Sequence, residues 1–168
     1  MGDVLIPMSE YQSIIHKLTK PLDKRVTLPV AEAVGLVLAD DVEAKLPIPR
    51  FTNSAMDGFL VRTDDGTARR TVVGDVPAGA TALPVGPGEA VRIMTGAPTG
   101  DDEGTAVVPV EDTNLKPGPQ ALPSTIEVHV APKPRAHVRP RADDVAVGDV
   151  VVAAGTMVDA SALAAIIS

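Results

Sequence analysis

The sequence contains no cysteine and no tryptophan, and its 168 residues include one tyrosine and two phenylalanines. Without thiols there is no disulfide framework, no thiolate metal site and no cysteine nucleophile, which agrees with a reducing compartment. With so few aromatics, the core has to come from Val, Ile, Leu and Ala. Long apolar runs are also missing. Val150 to Ala154 and Ala162 to Ile167 fall far short of the roughly 18 residues of a membrane span. A basic surplus is absent as well: 15 Lys and Arg face 22 Asp and Glu, a net charge of −7. That balance repels phosphate backbones and anionic lipid, so neither nucleic acid nor a membrane is expected as a partner. The amino terminus carries Asp3 instead of a basic segment followed by a long apolar one, so no secretory signal is expected and the location is read as cytoplasmic.

What is abundant is glycine and proline, 14 and 16 residues, a share of turn formers that argues against a helical bundle. Tyr11, Ile14, Ile15 and Leu18 recur at helical spacing behind a Ser9–Gln12 capping-box pattern, which predicts an amphipathic helix over about 8–19. Leu28 to Val34 reads as a short helix stopped by Gly35, with Leu36 to Leu38 extending toward Val42. From Lys45 to about Lys133 short apolar runs alternate with Gly, Pro and Asp. They are centred on Thr71–Val73, Ala90–Met94, Thr105–Val108 and Ile126–Val130, the rhythm of a small β-barrel or sandwich. Lys116 to Pro123 is a proline-rich surface loop between strands, and Asp149 to Val152 resumes strand character. Ser161 to Ile167 is apolar on most sides and ends without a cap, as though the chain were cut inside an element.

Several motif readings fail on chemistry. Gly74 to Thr81 has the glycine spacing of a phosphate loop, but Ala80 stands at the lysine position and Pro77 removes an amide donor. The acidic residues Asp101 to Glu103 lack the ligand alternation and the glycine of a calcium loop. His16, His129 and His137 have no metal-type spacing and read as surface residues. Two segments resist such dismissal. Pro49 to Phe59 packs Arg50, Asn53, Ser54, Asp57 and two aromatics into one short stretch. A hairpin turning at Asp57-Gly58 explains that stretch equally well. Val91 to Pro98 is a strand running into a Thr95-Gly96-Ala97-Pro98 turn, whose hydroxyl and backbone amides suit an oxyanion.

This pair of motifs, in this order, resembles the molybdopterin molybdenumtransferase family, the MoeA proteins and the carboxy-terminal domain of gephyrin. The family pattern Pro-x-Phe/Tyr-x-x-Ser-Ala-Met-Asp-Gly-Tyr/Phe-Ala-Val is met by Pro49 to Val61, with Leu60 for the usual alanine. The pattern Arg-Ile-x-Thr-Gly-Ala-x-x-Pro corresponds to the run from Arg92 to Pro98, matching its first six positions with the proline two positions early. Further matches are the opening helix, Ala31 to Val42, Ala106 to Glu111 and Gly148 to Thr156. Arg139 to Asp144 departs from the usual Arg-x-x-Gly-Glu-Asp, carrying Ala142 for glycine and Asp143 for glutamate. The pterin-binding α/β domain and the last β-domain of the family have no counterpart among the 168 residues.

The resemblance implies a mainly β (α+β) fold with flanking helices. A framework of about 1–47 and 135–168 is expected, with a β-barrel or sandwich domain of about 48–134 inserted in it. It also implies insertion of molybdate into adenylylated molybdopterin with release of AMP, assisted by a divalent cation, Mg²⁺. Carboxylates hold such a cation and hydroxyl or amide donors hold an oxyanion. On that basis Asp57 is the expected metal ligand and, with Thr95, the catalytic pair. Asn53, Ser54, Arg50, Arg92 and Gly96 are the expected substrate-binding residues. Expected partners are a second copy in a homodimer, molybdopterin-adenylyltransferase and other cofactor-assembly proteins. Because the family's site draws on the missing pterin domain, the 168 residues alone are expected to be inactive. The competing reading is a non-catalytic dimerisation, regulatory or ligand-binding fragment of the same family.

Overall fold

A computed structural model describes residues 5–20 and 22–168. The chain is mainly β with two helices and divides into two compact units, Met1–Asp41 with Val152–Ser168, and Val42–Val151.

In the first unit, helix α1 (Met8–Leu18) forms where the apolar spacing places it. Its start differs from the capping-box expectation. Pro7 is the N-cap residue and no side chain caps the helix, while Ser9 lies inside it and its carbonyl accepts the Ser13 hydroxyl. A proline carries the φ that a helix entrance requires, so the helix begins two residues before a Ser9 cap would start it. None of the residues of α1 is buried, and Leu18 is 78% exposed. The short helix expected at Leu28 to Val34 shrinks to one 3₁₀ turn, Val30–Glu32. Gly35 then turns the chain with φ +84°. Beyond it, Gly35 and Leu38 amides donate to the carbonyls of Val158 and Thr156, and the amides of Gly155 and Val158 donate back to Leu38 and Leu36. Helix α2 (Ala160–Ile167) follows, its first turn closed by Asp159, whose carboxylate accepts the Ala162 amide at 2.8 Å.

The second unit carries strands β1 (Val42–Glu43), β2 (Asn53–Ser54), β3 (Gly58–Arg62), β4 (Arg69–Val76), β5 (Glu89–Ile93), β6 (Thr105–Pro109), β7 (Thr125–Glu127) and β8 (Val138–Arg139). A ninth strand, β9 (Val150–Val152), spans the end of this unit. Its main sheet has the order β6-β3-β5-β4-β7, with every neighbouring pair antiparallel except β4–β5. Alternate residues of each strand point to opposite faces. Leu60, Val91, Ile93 and Val107 pack with Val76, Val85 and Ala97 on one side, and Phe59, Val61, Ala90 and Val108 with Ile126 and Val128 on the other. Both faces are therefore covered. This is why β3 and β6 read as continuous apolar runs instead of alternating ones.

Two expectations are corrected here. Asp57-Gly58 is not a hairpin tip. Gly58 opens β3 and pairs with both Ile93 and Pro109, while β2 pairs with β8 through Asn53–Arg139 and Ser54–Val138. The strand expected over Ile126 to Val130 stops at Glu127, and Val128 makes an isolated bridge to Thr113.

Ala142, which replaces the glycine of the family pattern, has φ +64°. A Cβ in this left-handed region is strained by roughly 1 kcal/mol. Ala142→Gly is expected to raise unfolding free energy by a few tenths to about 1 kcal/mol in urea titrations, the strain relief being partly offset by the freer unfolded chain.

Candidate functional site

The site is built from the register of three strands. Asp57 immediately precedes β3, and Thr95 follows β5 by two residues. Pairing of Gly58 with Ile93 brings these two turns side by side. The two sequence motifs are then stitched together along their length. Ser54 donates its amide to the Ala97 carbonyl, and the amides of Gly96 and Thr99 donate to the carbonyls of Ser54 and Thr52. At the open end, Asp57 Oδ1 accepts both the amide and the hydroxyl of Thr95, each at 2.7 Å and across 38 positions of sequence. The Thr95 amide, and next its hydroxyl, hold the Asp57 carboxyl below the usual carboxylate range. Asp57 is therefore an anion at neutral pH, with Oδ2 left for a ligand.

Close approach is what the glycine next to Asp57 supplies. A Cβ on Gly58 would lie 2.0 Å from the Val108 carbonyl oxygen. Gly96 adopts φ +79°, the left-handed conformation that lets the Thr95 turn reverse.

Asp57 and Arg92 share a cavity of about 510 Å³, walled by Phe59, Met94 and Val110 on the apolar side, by Glu111, and by the loop Pro117 to Gln120. Arg92 lies on β5 opposite Asp75 of β4. Its Nε and one terminal nitrogen fork onto the Asp75 carboxylate at 2.9 and 2.5 Å. That fork holds the Asp75 carboxyl below its ordinary range and raises the guanidinium above its own.

The other expected ligand residues stand elsewhere. Ser54 is fully buried, donating to the Met56 carbonyl and accepting the Met56 amide. Asn53, 5% exposed, donates to the Phe51 carbonyl. Neither lines the cavity; both shape the turn that delivers Asp57. Arg50 is exposed and joins no ion pair among the described residues. Glu111 and the Pro117–Gln120 loop, with the apolar wall residues Phe59, Met94 and Val110, are cavity residues that were not among the expected site residues. The signal for Glu111 was its place at the end of the Ala106 to Glu111 match. The loop had none, because proline-rich turns look alike whatever they cover.

Residues 6–168 match the family described as the MoeA N-terminal region, domains I and II. The chain belongs to this family. It is 35% identical over 164 residues to molybdopterin molybdenumtransferase 2 of Mycobacterium tuberculosis, an alignment covering 93% of this chain and 38% of that protein. It is 38% identical over 133 residues to the molybdopterin molybdenumtransferase of Haemophilus influenzae, covering 76% of this chain and 31% of the relative. The chain thus spans well under half the length of the curated relatives it matches. Among solved structures, a molybdopterin biosynthesis MoeA protein of Pyrococcus horikoshii OT3 superposes with a TM-score of 0.80 at 29% identity, over 96% of this chain and 43% of that one.

In this MoeA-family unit the expected Mg²⁺ finds an incomplete donor set. Among the described residues no group of three His, Cys, Asp or Glu side chains is placed to hold a metal ion. Asp57 supplies one unengaged carboxylate oxygen, fewer ligands than an octahedral cation requires. These residues alone do not make a Mg²⁺ site. Nor, among the described residues, is any helix long and apolar enough to cross a membrane.

Proposed function

We propose that this chain is the amino-terminal part of a molybdopterin molybdenumtransferase, taking part in molybdenum cofactor biosynthesis. Its Asp57–Thr95 pair serves the insertion of molybdate into adenylylated molybdopterin, with AMP leaving. The observation that carries this reading is Asp57 Oδ1 held by both donors of Thr95. Such a carboxylate is preorganised: it is ionised, aimed by two bonds, and pays no reorientation cost when a ligand arrives. Thr95 is then a positioning residue and Asp57 the group that meets substrate. The names of the relatives and the matched motifs support the reaction class. An inserted β-domain, a Mg²⁺ shared with substrate phosphate and a homodimeric assembly belong to the same proposal.

Molybdenum insertion by the native gene product is expected to fall about 10²- to 10³-fold in Asp57→Ala. The variant should still fold cooperatively, with a modestly lower melting temperature because Asp57 is exposed but gives up its two bonds to Thr95. The 168 residues alone should show no turnover. Wild-type rates in Asp57→Ala would remove the proposal.

A further inference from the structure

Arg92 makes a third hydrogen bond that neither the Asp75 ion pair nor ligand binding accounts for. Its remaining terminal nitrogen donates to the Gln120 carbonyl at 3.0 Å. Gln120 in turn donates its side-chain amide to the Lys116 carbonyl at 2.8 Å, closing the loop on itself. Between Lys116 and Pro123, the Arg92 bond is the only hydrogen bond that ties the loop to the sheet among the described residues. The segment contains Pro117, Pro119 and Pro123, which lack amide donors and stiffen the backbone. A stiff loop held at one point moves as a body when that point is released.

The Asp75 fork is what makes Arg92 a suitable anchor. A bidentate pair fixes the guanidinium plane, and the rigid geometry of the group then aims its outward nitrogen. The side chain is 19% exposed. Its charge is matched by Asp75 and three of its N–H groups are engaged, so it is ill placed to capture an anion.

We propose that Arg92 is a positioning residue that holds the Lys116–Pro123 loop as the far wall of the Asp57 cavity. It thereby governs how tightly substrate is held and not the chemical step. This deepens the function proposed above and rests on it for the kinetic part only.

The test has two arms. In the 168-residue chain, NMR order parameters of the Gly118 and Gln120 amides are expected near the rigid-backbone value of about 0.85 and to fall below about 0.6 in Arg92→Met. Arg92→Lys, which keeps the charge but cannot form the fork and the third bond together, is expected to loosen the loop as well, and covers the case in which the methionine variant does not fold. In the native gene product, Arg92→Met should raise KM for adenylylated molybdopterin about tenfold while kcat stays within about twofold. Order parameters unchanged in both variants overturn the anchor. A looser loop with unchanged KM, or with the loss confined to kcat, overturns the positioning role. The relaxation arm needs no activity, so it stands or falls separately from the transferase reading.

Discussion

Replacing Arg70 with methionine is expected to lower the unfolding free energy of the Val42–Val151 unit by about 3 to 5 kcal/mol, the usual cost of stripping one partner from a buried ion pair. Arg70 is 3% exposed and Asp65 8%. The guanidinium donates to both Asp65 oxygens, at 2.7 and 2.8 Å, and to the Arg62 carbonyl at 3.0 Å. Asp65 also accepts the amides of Gly88 and Thr67 at 2.8 and 3.0 Å. One pair thus ties the β3–β4 connection to the turn that enters β5, and its loss leaves a carboxylate in a dry site. Burial pushes the Asp65 carboxyl up, but the Arg70 bonds and the two amides outweigh it and hold it at about 2. The unfolded value is near 4, so this stabilisation is complete above about pH 4 and is lost as pH falls toward 2. In Arg70→Met the carboxyl rises toward its ordinary range, and the midpoint of acid unfolding should move to higher pH. Urea titrations at pH 7 and pH 3 check both statements. Equal stability of wild type and variant at pH 7 would show that the pair contributes nothing.

Gly58→Ala is the second large effect. The added methyl would meet the Val108 carbonyl oxygen at 2.0 Å, the carbonyl carbon at 2.9 Å and Pro109 Cα at 3.0 Å, all backbone atoms of β6. A side chain can swing aside, but a paired strand cannot, so β3 and β6 must separate where their ladder begins. Overpacking typically costs about 1 to 3 kcal/mol, and a clash with fixed backbone belongs at or above the top of that range. Because Asp57 is the adjacent residue, the Asp57–Thr95 contact should be disturbed together with stability. A thermal melt and the Thr95 amide chemical shift are the measurements. A variant melting as wild type, with that shift unmoved, would mean the close approach is not real. Gly74 offers a contrast, since its nearest neighbour is the Leu83 side-chain tip at 2.6 Å, a flexible atom that can yield.

The same glycine shows where sequence reading ran out. Asp57-Gly58 carries the composition of a tight turn, and local spacing alone could not separate that from a strand start. What decides is a neighbouring strand some fifty positions later, which local pattern does not contain. The helical stripe of α1 and the strands β4, β5 and β6 were legible because their periodicity is local. The two-residue strands β2 and β8 were not, since so short a segment has no period, and the parallel β4–β5 pairing leaves no mark distinguishing it from an antiparallel one. At the site, Asp57 and Thr95 were singled out through the family motifs, and the structure brings them together. Asn53 and Ser54 were singled out by the same motifs, but they are buried in β2 and do not line the cavity. Arg92 was expected among the substrate-binding residues, because its Asp75 partner lies across a strand pairing and the Gln120 carbonyl belongs to a distant loop, neither visible in local sequence.

The order of strands has a consequence for how the polypeptide must be made. β3 is the first strand of the main sheet to leave the ribosome, and both of its neighbours, β5 and β6, come later in the chain. Phe59, Leu60 and Val61, each no more than 2% exposed at the end, therefore wait without a partner until Ile93 has been synthesised, and with one edge open until Pro109. During that interval the nascent chain presents an unpaired apolar strand of the kind that associates with other chains. Slow translation through 63–109, or overproduction that outruns chaperone capacity, should thus favour insoluble product even though the finished sheet leaves little of that strand to see.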